Sequence, residues 1–211
     1  RKGRREGKPE FIPAYTMEDA MGVLRNFVRC PYDKIIKPAE GIEVRFVDAG
    51  HLLGSSSIEV WMTEEDKTEK IVFSGDIGNK SKPLIRDPQY ISEADYVVME
   101  STYGNRYHKK TTTYVESLTR IIQETLDRSG NVVIPAFAVG RTQELLYMIR
   151  HIKEHNLVHG HDGFLVYVDS PLAVEATQVF TENLLDCYDD ETKALVERGI
   201  NPIDFKGLKL S

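Results

Sequence analysis

The sequence predicts an α/β protein in two parts, a β-rich first half and a second half in which strands and helices alternate. Three observations carry this expectation. Ile42, Val44 and Phe46 alternate with Glu43 and Arg45, and Ile58, Val60 and Met62 alternate with Glu59 and Trp61, the period of two expected of half-buried strands. Short apolar runs from Lys70 to Phe73 and from Asp95 to Met99 end on polar clusters, as buried strands do when loops gather functional groups at their ends. After Gly104 apolar runs and helical stripes take turns, the pattern of a parallel α/β sheet.

In chain order, Arg1 to Pro9 is polar and basic and reads as a frayed end or a basic arm. Thr16 with Asp19 three residues on forms a weak capping box, and Ala20, Val23, Leu24, Phe27 and Val28 make the stripe of a core-facing helix. The two alternating strands flank a loop containing His51, and the charged turn from Thr63 to Glu69 leads into the strand that ends at Asp76. Successive strands without intervening helices suit one sheet of a sandwich with helices on its outer face. Val115, Leu118, Ile122 and Leu126 mark a helix closed by Gly130, and Asn131 to Phe137 reads as an apolar strand. Arg141 to His155 is the next helix and Phe164 to Val168 the next strand. Ser170 and Pro171 then combine an N-cap with proline at the first helical position, and Asp190 and Gly199 bracket a last short helix. The change of texture places a domain boundary between Gly104 and Thr111, giving segments 1–107 and 108–211.

The 211 residues, 41% hydrophobic and 28% charged, suffice for a sizeable core. A net charge of −6 gives no global attraction for a polyanion, so nucleic-acid contacts must come from local basic patches. Lys80, Lys82, Arg86, Arg106, His108, Lys109 and Lys110 form such a patch, as a backbone track or simply a solvated face. Cys30 and Cys187 stand far apart without a Cys-x-x-Cys pattern, which fits a reducing compartment. No apolar run is long enough to span a membrane and no signal-peptide pattern opens the chain, so a cytoplasmic protein is expected.

Three clusters carry the chemistry: Asp48-Ala49-Gly50-His51-Leu52-Leu53-Gly54-Ser55, Ser74-Gly75-Asp76-Ile77-Gly78 and Glu100-Ser101-Thr102-Tyr103-Gly104. They deliver a histidine and two carboxylates to strand ends, the layout of a metal-dependent hydrolase. Taken singly, His51 also reads as a loop histidine with a satisfied hydrogen bond, and Asp76 as a turn carboxylate. Asp48 reads either as a partner of a ligand histidine or as a turn residue. Gly140-Arg141 opens a helix after a strand, so free N–H groups and a guanidinium suit a phosphate, or Arg141 serves a structural salt bridge. Ser170 has the same two readings, phosphate contact or N-cap.

In order and spacing these clusters resemble the metallo-β-lactamase fold in its nucleic-acid-processing branch, the β-CASP nucleases. The run Pro135-Ala136-Phe137-Ala138-Val139-Gly140-Arg141-Thr142-Gln143-Glu144 and the later Asp169-Ser170-Pro171 extend the resemblance over nearly the whole chain. It implies part of an αββα sandwich followed by part of a parallel α/β β-CASP domain. It further implies a ribonuclease that hydrolyses RNA phosphodiesters with a metal-bound hydroxide, using two zinc ions. His51 would ligate one ion, Asp76 would bridge both, and Glu100 would orient a histidine that helps protonate the leaving oxygen. Ser101, Tyr103, Arg141 and Ser170 would contact a single-stranded RNA, and a homodimer is compatible with the family. Whether cleavage is endo- or exonucleolytic is left open.

The family's His-x-His-x-Asp-His signature and its two later histidine motifs are absent from these residues, so the chain reads as an internal piece of a longer enzyme, inactive alone. A non-catalytic RNA-binding paralogue and a small-molecule hydrolase on the same fold are the competing readings. His159-Gly160-His161-Asp162 and the i, i+4 pair His151 and His155 have metal-like spacing but lie in the wrong place for the signature, so this segment reads as a polar turn.

Overall fold

A computed structural model describes residues 13–107, 113–182 and 187–211. Expectations for Arg1 to Pro9, and for His108, Lys109 and Lys110, lie outside them. The chain divides into two compact units, Arg1–Pro31 and Tyr32–Ser211.

In the first unit, α1 (Met17–Leu24) forms behind the expected capping box: Asp19 N–H donates to Thr16 Oγ1 at 3.2 Å, and Thr16 N–H to Asp19 Oδ2 at 2.8 Å. None of its residues is buried, and Phe27 and Val28 beyond it are exposed. The expected core-facing role is therefore not seen, because the unit holds no second described element for the stripe to cover.

The second unit begins with a five-stranded sheet in sequential order: β1 (Ile35–Ala39), β2 (Ile42–Asp48), β3 (Ser56–Glu64), β4 (Lys67–Phe73) and β5 (Tyr96–Val98). The first four strands are antiparallel neighbours, and β5 joins β4 in parallel. Register sorts the side chains into cross-strand rows. Val44, Val60 and Ile71 form one, and Phe46, Ile58 and Phe73 the next, on one face. Arg45, Glu59 and Val72 form a row on the other face. The alternation predicts that Glu59 points to solvent, but its side chain is 0% exposed. Arg45 Nε donates to Glu59 Oε2, Lys70 Nζ lies 2.6 Å from Oε1, and both cations also sit over the Trp61 ring. Burial pushes the Glu59 carboxyl up, and the bonds from Arg45 and Lys70 outweigh it, so the group rests below its ordinary pKa.

Beyond β5 come α2 (Tyr114–Asp127), α3 (Arg141–Glu154), β6 (Val166–Val168), α4 (Pro171–Glu182), α5 (Asp190–Glu197) and β7 (Leu208–Leu210), with β6 and β7 parallel. Several predicted ends shift slightly. Ser129, at φ 57°, rather than Gly130 takes the left-handed position after α2, and Asp189 rather than Asp190 caps α5 through Thr192 N–H at 2.7 Å. Asn131 to Phe137 is not a strand. Pro135 lacks a donor, Val133 and Phe137 are exposed, and a groove of about 750 Å³ lined by Ile134, Ala136, Leu145, Val166 and Val168 separates the segment from β6. The parallel sheet of this half thus consists, among the described residues, of β6 and β7.

α3 is the spine of this half. Leu146 and Tyr147 pack with Val168, Ala173, Phe180, Tyr188 and Ile203, while Met148, Ile149 and Ile152 pack with Leu118, Ile122 and Val158. Leu84 and Ile85, from the segment between β4 and β5, complete the first of these cores. Their backbone is stitched in place by Arg86 N–H to Cys187 O at 3.1 Å and Asp189 N–H to Leu84 O at 3.1 Å. Among the described residues no helix is long and apolar enough to cross a membrane.

The Glu59 cluster makes a prediction with a defined pH window. Its stabilisation is present above the carboxylate pKa of the unfolded chain and lost as pH falls through the lower folded value. Glu59→Gln is expected to cost about 2 kcal/mol near neutral pH. In denaturant unfolding at a series of pH values, the gap from wild type should narrow as pH drops below about 4.3.

Candidate metal and phosphodiester site

Three strand ends meet at the candidate site. The turn after β2 carries His51, the end of β4 runs into Asp76, and the residue after Met99 beyond β5 is Glu100. His51 Nε2 lies 3.9 Å from Asp76 Oδ2, with the histidine side chain 38% exposed and the aspartate 73% exposed. Glu100 Oε1 accepts the N–H of Ile77 at 2.7 Å, and Glu100 N–H donates to Ser74 Oγ at 3.0 Å, which ties β5 to the Asp76 turn. The bond from Ile77, then that from Thr102, holds the Glu100 carboxyl below the usual range, with a smaller contribution from nearby His51.

The His51 loop is internally braced. Ser55 Oγ accepts the N–H groups of His51 at 3.0 Å and Leu52 at 3.1 Å, and Asp48 Oδ1 accepts that of Gly50 at 2.9 Å. Asp48 is buried and its other oxygen pairs with Arg86 Nη2 at 3.0 Å, so it plays the turn role of its two readings. Gly78 N–H donates to Ala49 O at 2.8 Å, pinning the Asp76 turn to the loop. A Cβ on Gly78 would fall 1.7 Å from Gly50 O, so only glycine permits this approach.

The amino end of α3 abuts the same loop. A Cβ on Gly140, whose φ is +83°, would stand 2.2 Å from Leu52 Cδ2. Lys82 Nζ lies 3.0 Å from the largely buried Glu144 Oε1 and donates to His51 O at 3.2 Å. Arg141 Nη1 reaches Glu144 Oε2 at 2.7 Å while its side chain stays 53% exposed, so the salt-bridge reading of Arg141 is the one formed here. Gln143 is fully buried: its Oε1 accepts Gly140 N–H at 2.7 Å and its Nε2 donates to Ala138 O and Thr177 Oγ1. Sequence reasoning missed Lys82, Gln143 and Glu144 as a bracing set. The i, i+3 spacing of Arg141 and Glu144 was the one signal available.

The remaining expected residues are placed as follows. Ser170 Oγ accepts Ala173 N–H at 3.3 Å, the N-cap reading. Ser101 O accepts Gly104 N–H at 3.0 Å in the turn after Glu100, and the Arg106 guanidinium sits 4.8 Å from the Tyr103 ring centroid. Of the proposed basic track, Lys82 and Arg86 are engaged by Glu144 and Asp48, and so are structural, whereas Lys80 stacks over Tyr90. His161 Nε2 meets Asp127 Oδ1 at 3.0 Å and His159 N–H donates to Gln123 Oε1 at 2.7 Å, the expected polar turn.

Zinc takes imidazole and carboxylate donors, usually four. His51 and Asp76 fit as two of them, and among the described residues no group of three or more His, Cys, Asp or Glu gathers.

A Beta-Casp domain matches residues 142–211. Ribonuclease TTHA0252 of Thermus thermophilus is 32% identical over 205 residues, covering 96% of this chain and 44% of the relative. The RNase J-like protein of Methanocaldococcus jannaschii is 33% identical over 192 residues, covering 90% and 44%. Endoribonuclease YSH1 of Eremothecium gossypii is 26% identical over 196 residues, covering 92% and 25%. The chain thus spans less than half the length of these relatives.

Replacing Lys82 with Met takes one of the two cations, Lys82 and Arg141, from the buried Glu144 and removes the Lys82 donor from His51 O. A loss of about 2 kcal/mol is expected in thermal unfolding. Amide exchange should quicken at His51 and Leu52 while the centre of β3 stays as protected as in wild type.

Proposed function

Because the chain belongs to the β-CASP family, on the metallo-β-lactamase fold, we propose that it is part of a zinc-dependent ribonuclease that hydrolyses phosphodiester bonds of single-stranded RNA. The observation that carries this reading is the convergence of His51, Asp76 and Glu100 from three strand ends, with His51 Nε2 and Asp76 Oδ2 3.9 Å apart. In this reading residues 1–107 are part of the metallo-β-lactamase core and 108–211 part of the β-CASP domain.

His51 and Asp76 would be the residues of this chain that hold the zinc. Zinc supplies Lewis acidity and lowers the pKa of coordinated water towards neutrality. The chain's own residues do the rest. The exposed Asp76 carboxylate opens to solvent, where an ion and a substrate phosphate have access. Glu100, kept ionised, fixes the Ile77 amide and hence the turn that presents Asp76, and it would also orient a histidine supplied by a longer polypeptide. Arg141 keeps an exposed guanidinium flank for a phosphate, and Tyr103 with Arg106 offers an aromatic and cationic surface for a base. With two donors supplied here and relatives more than twice as long, catalysis is proposed for a polypeptide of the relatives' length rather than for these 211 residues alone.

In the full-length protein Asp76→Ala should abolish cleavage of a single-stranded RNA and lower bound zinc, with the circular dichroism spectrum unchanged. Full activity in a folded Asp76→Ala protein would sink the assignment.

A further inference from the structure

Glu144 is bonded by a cation at each of its two oxygens. Its side chain is 8% exposed, and Lys82 Nζ lies 3.0 Å from Oε1 while Arg141 Nη1 lies 2.7 Å from Oε2. The two cations lead in different directions. The Lys82 side chain is 21% exposed and its ammonium also donates to His51 O at 3.2 Å, so it reaches into the loop of a candidate metal-binding residue. The Arg141 side chain is 53% exposed and stands open to solvent.

The frame around these three charges has its own supports. Gln143 is fully buried and bonded to Gly140 N–H, Ala138 O and Thr177 Oγ1, and Gly140 lies against Leu52. The first turn of α3 is therefore fixed by its neighbours, and the Glu144 carboxylate distributes its charge between Lys82 and Arg141. A carboxylate this buried holds its cations firmly, having little water to replace them. A phosphate presents a similar fork of oxygens to a guanidinium. It competes with Glu144 for the exposed Arg141 far more readily than for the inward-turned Lys82.

We propose, resting on the nuclease reading, that Glu144 is a positioning residue with two opposed effects. It keeps Lys82 on the His51 carbonyl, which orders the loop of that residue, and it restrains Arg141 until an RNA phosphate takes the guanidinium. The same carboxylate thereby secures the geometry of His51 and lowers the affinity for substrate. A residue that only stabilised the fold would change both in one direction.

The test is Glu144→Gln in the full-length protein, with a fluorescein-labelled single-stranded RNA as probe. Binding is read by anisotropy in the presence of a chelator, and cleavage in the presence of zinc. RNA binding should tighten about twofold to fivefold, the range of an exposed ion pair, while kcat falls about tenfold. In the 211-residue chain, amide exchange at His51 and Leu52 should quicken in Glu144→Gln. Lys82→Met should lower kcat without tightening RNA binding, and the gain in affinity from Glu144→Gln should vanish in an Arg141→Gln background. Should Glu144→Gln not fold, Glu144→Asp is expected to give the same split. If the wild type cleaves RNA, a folded Glu144→Gln variant that binds RNA no tighter, or keeps the wild-type kcat, would overturn the role of Glu144 and leave the nuclease reading standing. A folded wild type that neither binds nor cleaves RNA would overturn both.

Discussion

The ammonium of Lys82, shared between the Glu144 carboxylate and the carbonyl of His51, is where the sheet half and the helical half of the second unit are joined at the candidate site. A carboxylate as buried as Glu144 needs a compensating charge, and a loop carbonyl facing the amino end of a helix needs a donor. One lysine meets both requirements. The adjoining segment extends the join: Leu84 and Ile85 enter the core beside Tyr188, and Arg86 secures Asp48. The loop that presents His51 is consequently held from its own sheet, from the Asp76 turn and from α3.

This arrangement explains why basic residues that look like a nucleic-acid track are partly something else. Lys82 and Arg86 follow Asp76 by a few residues, in the position where a charged loop would be expected to face solvent. Both turn inward because buried acids, Glu144 and Asp48, wait for them. Lys80 and Arg106 lie over tyrosine rings instead.

The sequence was most legible where local chemistry decides. The alternation over Ile42 to Phe46 and Ile58 to Met62 located β2 and β3, the Thr16 box located α1, and Ser170 with Pro171 opened α4. It failed where the outcome depends on distant partners. β1, with Pro38 inside it, and the three-residue β7 carry too little pattern to be seen alone. Asn131 to Phe137 has strand composition, but among the described residues no strand pairs with it. Glu59 sits at an outward position of its alternation and is buried only because Arg45, Lys70 and Trp61 close over it. At the site, His51, Asp76 and Glu100 were visible from their clusters. The Lys82 and Glu144 contact joins residues 62 positions apart (144 − 82), and nothing in a single sequence announces it.

The contact between Gly78 and Gly50 has a further consequence. Because a peptide oxygen occupies the place a side chain would need, the separation of the His51 loop from the Asp76 turn is set by hard-core repulsion between two backbones and one amide bond. Neither rotamer exchange nor repacking of neighbouring side chains can widen or narrow it appreciably. The His51 loop and the Asp76 turn are therefore preorganised, so in the proposed function an ion would meet both residues without an entropic cost for bringing the two loops together.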